Sequence, residues 1–266
     1  ETKMGGSHMP LNQEEIRGIA LRQSAIDAGC TPADFLRSEN VIVPSVVCPD
    51  ARRYLKQPLE CTLISYGANV VVTAQDAYRA IAADYVGRFS PAECFETPAM
   101  LLLDDALRAV GLRICFQAEY FLPELSAMQV TDCPYELRLL HPVDFAALYT
   151  SEWSNALCIE RAVLDTLGIG AYDDGRLVGF AACSADCRDM WQIGVDVLPA
   201  YRGQGISTAV TSRLAAEILA AGKVPFYCAA WSNIRSVRNA LRCGFRPAWV
   251  ELSAKPIDYI RDQLED

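Results

Sequence analysis

The sequence predicts an α/β fold, and three observations carry that prediction. Short apolar, β-branched runs of strand length alternate with longer runs whose apolar residues recur every three or four positions. Asp173-Asp174-Gly175 separates two apolar runs, and Asp-Gly accepts the positive φ that a tight hairpin turn needs. A strand at residues 191–198 passes Pro199, enters a loop with two glycines and continues into an amphipathic helix. The chain has 266 residues, 52% of them apolar, which is material for one large domain or two of ordinary size.

The first half reads as mixed α and β. Residues 12–28 form a helix with Ile16, Ile19, Ala20 and Ile26 on one side and Gly29 at its end. Residues 41–47 are a β-branched run punctuated by Pro44, and residues 60–66 and 69–73 flank Gly67 as a hairpin. Thr73 is placed to cap a helix over 74–88, with Asp76 three residues on. A second helix over 99–110 stops at Gly111, and a strand over 112–122 stops at Pro123. The stretch 122–134 holds two prolines and several small polar residues. It marks the boundary between an N-terminal α/β lobe, 10–128, and a second domain, 129–266. Residues 1–9 contain Gly5-Gly6-Ser7-His8-Met9, the pattern of a tag remnant, and stay outside the fold reading.

The second half is better patterned. Residues 135–140 read as a strand, and Pro142 opens a helix over 142–149. Strands at 169–172 and 177–183 make the Asp-Gly hairpin, followed by the strand at 191–198. A helix over 207–221 carries Val210, Leu214 and Ile218 at four-residue spacing and closes at Gly222. A strand at 224–231, a helix at 234–242 and a strand at 249–253 complete the chain.

Charge and cysteine content narrow the function. A net charge of −9 with no basic run argues against nucleic acid as a partner. The acidity suits solubility and mildly favours a cationic partner. No apolar run is long enough to cross a membrane and no signal segment stands at the N-terminus. Eleven cysteines without a Cys-x-x-Cys pair read as reduced, mostly buried thiols, and Cys183 and Cys187 are too isolated for zinc. The expectation is a cytoplasmic protein. Outside the tag remnant His141 is the one histidine, so no multi-histidine metal site is available and no metal is expected.

The chemistry-bearing segment is Val195-Asp196-Val197-Leu198-Pro199-Ala200-Tyr201-Arg202-Gly203-Gln204-Gly205-Ile206-Ser207. A strand that turns into a helix through a glycine loop leaves backbone N–H groups free at the helix N-terminus. Those groups and the helix dipole suit a pyrophosphate. Gly203 and Gly205 let the backbone come close to it. Taken alone, the two glycines read more readily as an ordinary strand–turn–helix connection.

The context favours the first reading. Arg202-Gly203-Gln204-Gly205-Ile206-Ser207 resembles the acyl-CoA motif of the GNAT superfamily of N-acyltransferases: Arg or Gln, two residues, Gly, one residue, Gly or Ala. Asn233-Ile234-Arg235-Ser236 is similar to the superfamily's Asn-x-x-Ala/Ser, and Gly244-Phe245 to the Gly-Phe after the next helix. The likeness covers roughly 135–253 and is similar to the subgroup with an extra N-terminal domain. It implies a C-terminal GNAT-like mixed, mostly antiparallel sheet flanked by helices, splayed where the donor enters, with a separate N-terminal α/β lobe.

Carried over by position, the resemblance implies that the amides of Arg202, Gly203, Gln204, Gly205, Ile206 and Ser207 bind the CoA pyrophosphate. Val195 and Val197 would line the pantetheine arm, and the Val197 amide would stabilise the oxyanion. Asn233 would bond the pantetheine or its loop, and Ser236 would begin a helix beside it. Two positions depart from the pattern. Ser207 stands where Gly or Ala is usual, and Ala240 where many relatives carry the tyrosine that protonates the leaving thiolate.

A base is needed to take the amine proton. Asp196, on the motif strand, is the leading candidate. Alternation points it away from Val195 and Val197. Asp186 and Asp189 precede that strand, Tyr227 and Cys228 lie on the next one, and His141 is remote in sequence. The reading is therefore an N-acyltransferase moving acetyl or another short acyl group from acyl-CoA to a small-molecule amine in a ternary complex. The alternative is a non-catalytic acyl-CoA sensor or scaffold. The oligomeric state, including a homo-oligomer, stays open.

Overall fold

The computed structural model of the protein describes residues 10–265, and residues 1–9, read above as a tag remnant, lie outside them. In chain order the elements are α1 (Gln13–Ala28), β1 (Val41–Pro44), β2 (Cys61–Ser65), β3 (Val71–Ala74), α2 (Asp76–Arg88), α3 (Thr97–Arg108), β4 (Leu112–Pro123), β5 (Glu136–Leu140), β6 (Asp165–Asp173), β7 (Arg176–Ser184), β8 (Met190–Val197), α4 (Ile206–Ala220), β9 (Val224–Ala229), α5 (Ile234–Arg242), β10 (Phe245–Pro256) and α6 (Ile257–Glu265). The fold is mixed α/β, its strands mostly antiparallel and flanked by helices. The described chain forms two compact units. One comprises 10–19, 121–227 and 234–246, the other 20–120, 228–233 and 247–265.

In the first unit the strand order is β9-β8-β7-β6-β5. Neighbours from β5 to β8 pair antiparallel, and β8 pairs parallel with β9. The β6–β7 hairpin closes at the expected turn, where Asp174 and Gly175 have φ of 44° and 82°. Its β7 arm is buried from Val178 to Cys183, which is why that run shows no alternation of polar residues. Helix α4 packs on β6, β7 and β8 and buries Ile206, Val210, Leu214 and Ile218. On the other face Phe180 receives the edges of Phe145 and Trp153, with centroids 5.9 and 6.1 Å away.

The helix expected from Pro142 is a single turn, Pro142–Asp144. Residues 146–152 offer no continuous apolar stripe, and Phe145 and Trp153 are each drawn onto Phe180. The segment therefore crosses the sheet in short turns instead of running on as a helix.

In the second unit the order is β1-β3-β2-β10-β4. β1 and β3 are parallel, while β2 pairs antiparallel with both β3 and β10. Helices α2 and α3 cover a core that includes Leu63, Val72, Tyr85, Val86, Leu103, Leu107 and Leu252. Thr73 does not cap α2. It pairs with Thr62 and Val43 in the sheet, and Gln75 takes the cap position. The last strand is longer than the expected 249–253, because pairing continues to Ala254 against Cys61 and Lys255 reaches Glu60 at 2.7 Å. It leads into α6, which the sequence reading did not anticipate.

One charge cluster is sealed inside this unit. Arg52 is 2% exposed. Its Nε donates to Asp27 at 2.5 Å, its Nη2 to Glu251 at 2.6 Å and its Nη1 to the Tyr54 hydroxyl at 2.6 Å. Trp249 stacks between Tyr66 and Tyr120 beside it. No helix among the described residues is long and apolar enough to cross a membrane. Among the described residues no disulfide forms; of the eleven cysteines five are buried and six partly buried.

Candidate active site

The site is built at the end of β8. Its parallel pairing with β9 runs from Met190↔Val224 to Gln192↔Phe226 and ends there, while β8 continues to Val197. The two strands thus part in the direction of the glycine loop. Leu198 N–H donates to Val178 O at 3.0 Å, on the β7 side. Backbone groups alternate sides along a strand, so the Val197 N–H and C=O face the opposite edge, where β8 has left β9. The Arg202 guanidinium donates to that Val197 carbonyl at 3.2 Å.

Beyond β8 the chain makes one turn, Pro199–Tyr201, and Arg202 is extended. Gly203 and Gly205 have φ of 80° and 81°, a backbone region that other residues enter only with strain. Among the described residues, no heavy atom beyond each glycine and its two chain neighbours lies within 4 Å of where a Cβ would stand, so space is open above both. Gly205 is the residue before α4, and its carbonyl accepts the first helical bond from Ala209 N–H at 3.0 Å. The amides of Ile206, Ser207 and Thr208 consequently have no acceptor inside the helix. Ile206 is 1% exposed and anchors the helix start, while Arg202, Gly203, Gln204 and Gly205 are exposed. The Arg202 N–H, expected in the same set, instead closes the preceding turn by donating to Pro199 O at 3.4 Å. The amides that follow it, at a helix N-terminus with room above two glycines, fit an anionic diphosphate.

Asp196 lies on the face opposite α4. Its Oδ2 accepts from the N–H of Asn155 at 2.9 Å and of Ala156 at 3.0 Å, and its Oδ1 from the Asn155 side chain at 2.6 Å. Gly194 makes that approach feasible: a Cβ there would overlap the Asn155 carbonyl oxygen. The turn around Asn155 is therefore seated directly on the part of β8 that has left β9. Neither Gly194 nor Asn155 was singled out from sequence. The available signal was a glycine inside an apolar strand, which marks a close backbone approach.

The remaining candidates disperse. Ser236, in the first turn of α5, shares a 2.8 Å hydrogen bond with the Tyr227 hydroxyl on β9. Asn233 is exposed in the turn before α5, its N–H donating to Ala230 O at 2.8 Å. Asn239 bonds Thr208 at 3.2 Å and Thr211 at 3.1 Å, which locks α5 onto α4, and the adjacent Ala240 is fully buried. Asp186 is buried with Arg161 at 3.1 Å and the Ser184 hydroxyl. Asp189 pairs with Lys223 at 3.3 Å, Cys228 is half-buried, and His141 is exposed at the head of its turn. Asp165, at the far end of β6, accepts from Tyr149 at 3.0 Å, and burial pushes its carboxyl above the usual range. Among the described residues no cluster of His, Cys, Asp and Glu is suited to hold a metal ion.

Residues 133–245 match the acetyltransferase (GNAT) family. No curated protein matches the chain. Similar solved structures include a GNAT-family protein of Novosphingobium aromaticivorans, 20% identical, covering 54% of this chain and 66% of its own, with a TM-score of 0.39. A GCN5-related N-acetyltransferase-like protein of Streptococcus suis is 23% identical over 59% of this chain and 69% of its own, with a TM-score of 0.45. The Salmonella typhimurium protein yncA, solved with its cofactor acetyl-CoA, is 20% identical over 46% of this chain and 94% of its own, with a TM-score of 0.34. The chain spans about two thirds of the length of the first two.

Proposed function

We propose that the chain, whose residues 133–245 form a domain of the acetyltransferase (GNAT) family, is an N-acyltransferase that moves an acetyl or other short acyl group from acyl-CoA to a small-molecule amine. The observation that carries this reading is the junction of β8 and α4. There the strand parts from β9, one edge of Val197 faces the gap, and a loop of open amides follows.

In the proposed reaction acyl-CoA is the donor substrate and supplies a thioester. The amides from Gly203 to Ser207 hold its diphosphate, with Gly203 and Gly205 leaving room for it, while the Arg202 N–H is given to Pro199 O at 3.4 Å. Val195 and Val197 align the pantetheine arm. The Val197 N–H stabilises negative charge on the carbonyl oxygen during attack, and its fixed direction contributes without reorganisation. Arg202 braces Val197 through its carbonyl. Asn233 and Ser236 border the arm from the start of α5. Much of the rate comes from holding donor and amine together. Three donors already occupy the Asp196 carboxylate. That geometry favours a part in seating the Asn155 turn over proton abstraction.

The fully buried Ala240 favours a second reading, an acyl-CoA-binding sensor without turnover, because α5 offers no tyrosine acid there. Thermal unfolding with acetyl-CoA tests the first step. At a hundred times its dissociation constant a ligand adds ~2.7 kcal/mol, a shift of about 5 °C or more for a chain of this size. Gly205→Glu should abolish the shift by placing a side chain and a negative charge in the loop. No shift in the unsubstituted protein with any acyl-CoA refutes both readings. A shift without release of free CoA thiol across a broad amine panel selects the sensor.

A further inference from the structure

The glycine loop is tied down by side-chain hydrogen bonds to residues outside the motif. The Tyr201 hydroxyl, at the loop's entry, donates to Asp173 Oδ2 at 2.9 Å, at the end of β6 where the hairpin turns. The Tyr135 hydroxyl, just before β5, donates to Gln204 Oε1 at 2.5 Å, in the middle of the loop. The two rings meet edge to face with centroids 5.7 Å apart. Residues separated by 28 and 69 positions are thus joined into one clamp around a segment that has two positive-φ glycines and open space above them.

Such a loop has an entropic problem. Glycines sample many conformations, and freezing them on binding weakens affinity. A loop already held in its bound shape avoids that loss.

We infer that Tyr201, through Asp173, and Tyr135, through Gln204, are positioning residues that preset the diphosphate-binding loop Arg202–Ser207 for the donor. The inference rests on the acyl-CoA reading above. Tyr201 has a second effect. Its hydroxyl covers a carboxylate that would otherwise present bare negative charge near the loop. The hydrogen bond to Asp173 also pushes the phenol pKa up, because a carboxylate acceptor favours the protonated hydroxyl.

The test measures CoA affinity by calorimetry on the full chain, with the melting temperature and the hydrogen exchange of the Gly203–Ser207 amides recorded alongside. Tyr201→Phe and Tyr135→Phe should each weaken CoA binding about five- to tenfold and speed loop exchange, the loss expected for one hydrogen bond. The melting temperature should hold within about two degrees. In an Asp173→Ala background the Tyr201→Phe effect should shrink below about twofold, because the bond it removes is already gone. Binding within twofold of the unsubstituted protein in both single variants overturns the inference. So does a Tyr201→Phe effect that persists undiminished in the Asp173→Ala background. If the unsubstituted protein does not bind CoA at all, the acyl-CoA reading itself has failed, a result the variants cannot mimic.

Discussion

Gly194→Ala is the sharpest structural test of how the site is assembled. The added Cβ would overlap the Asn155 carbonyl oxygen and stand 2.7 Å from its carbon and 3.1 Å from Ala156 Cα. Carbon–carbon contacts settle at ~3.5–4.0 Å, so the turn must retreat by about 1 Å. Both sides of the clash are backbone, and no rotamer can absorb it. The retreat stretches the bonds that Asp196 accepts at 2.6, 2.9 and 3.0 Å beyond useful length. Losing two of them at this partly solvated edge costs ~2 kcal/mol, and overpacking adds ~1–3 kcal/mol. Alanine is favoured over glycine in a strand by ~0.5–1 kcal/mol, which offsets part of this. The net expectation is a loss of about 2–4 kcal/mol. At a urea slope of ~2 kcal/mol/M the midpoint falls by about 1–2 M, and the amides of Asn155 and Ala156 exchange faster. Asp196→Ala should reproduce the faster exchange without the clash, and the two changes together should cost less than their sum. A midpoint within about 0.3 M of the parent, with unchanged exchange at Asn155, would refute the claim that this turn is seated on β8 through Gly194 and Asp196.

Two further predictions concern the buried charges. Arg52→Met leaves Asp27 and Glu251 sealed in the second unit without their cation, and should destabilise it by ~3–5 kcal/mol in urea titration; a cost below about 1 kcal/mol would mean that water or a rearranged tyrosine replaces the arginine. Asp165 has a folded-state pKa raised by burial, so its ionised form is disfavoured in the native protein. Its contribution to stability is present below the ordinary carboxylate range and is lost as pH rises through the raised value. Asp165→Asn keeps an acceptor for Tyr149 and removes the titration, so the variant should gain on the parent as pH rises from the ordinary carboxylate range, about pH 4, through the raised value. A parent-minus-variant difference that is flat across that range would show that burial does not set the Asp165 pKa.

Local chemistry made the first unit readable. The Asp174-Gly175 turn, the buried β7 run and the glycine junction each state their conformation in adjacent residues, and all three formed as expected. The long crossing between β5 and β6 did not declare itself. Its path is set by Phe145 and Trp153 meeting Phe180 across the sheet, and by Asn155 meeting Gly194, and none of these pairs is local. The same holds for α1. Ile16 and Ala20 are buried as their spacing suggests, yet Gln23, Ser24 and Asp27 are buried too. Polar residues on a helix face read as solvent-facing until the partner is known, and here Arg52 is that partner for Asp27. For the site, the glycine-loop positions are assigned through the family resemblance of Arg202–Ser207. The side chains that hold them, Tyr135, Tyr201 and Asp173, could not be assigned that way, because a tyrosine's hydrogen-bond partner is a fact of tertiary structure.

The closed α4–α5 seam bears on how a proton could reach the leaving group. Ala240 is fully buried beside Asn239, whose amide is spent on Thr208 and Thr211. A phenol at 240 would overpack that seam, so this chain has no place for the tyrosine that its resemblance would supply. The energetic weight of that loss is small. A thiol of ordinary pKa, ~8.5, leaves as thiolate at neutral pH with a penalty of only ~1–2 kcal/mol. An alkyl amine of pKa ~10.4 must be neutral before it attacks, which costs ~4–5 kcal/mol at the same pH. The amine side is therefore the greater demand, and the Asp196 carboxylate is already engaged by Asn155 and Ala156. In the acyltransferase reading, what this part of the chain contributes is placement: a preset loop, a backbone N–H directed into the gap between β8 and β9, and a turn seated on the strand that carries it.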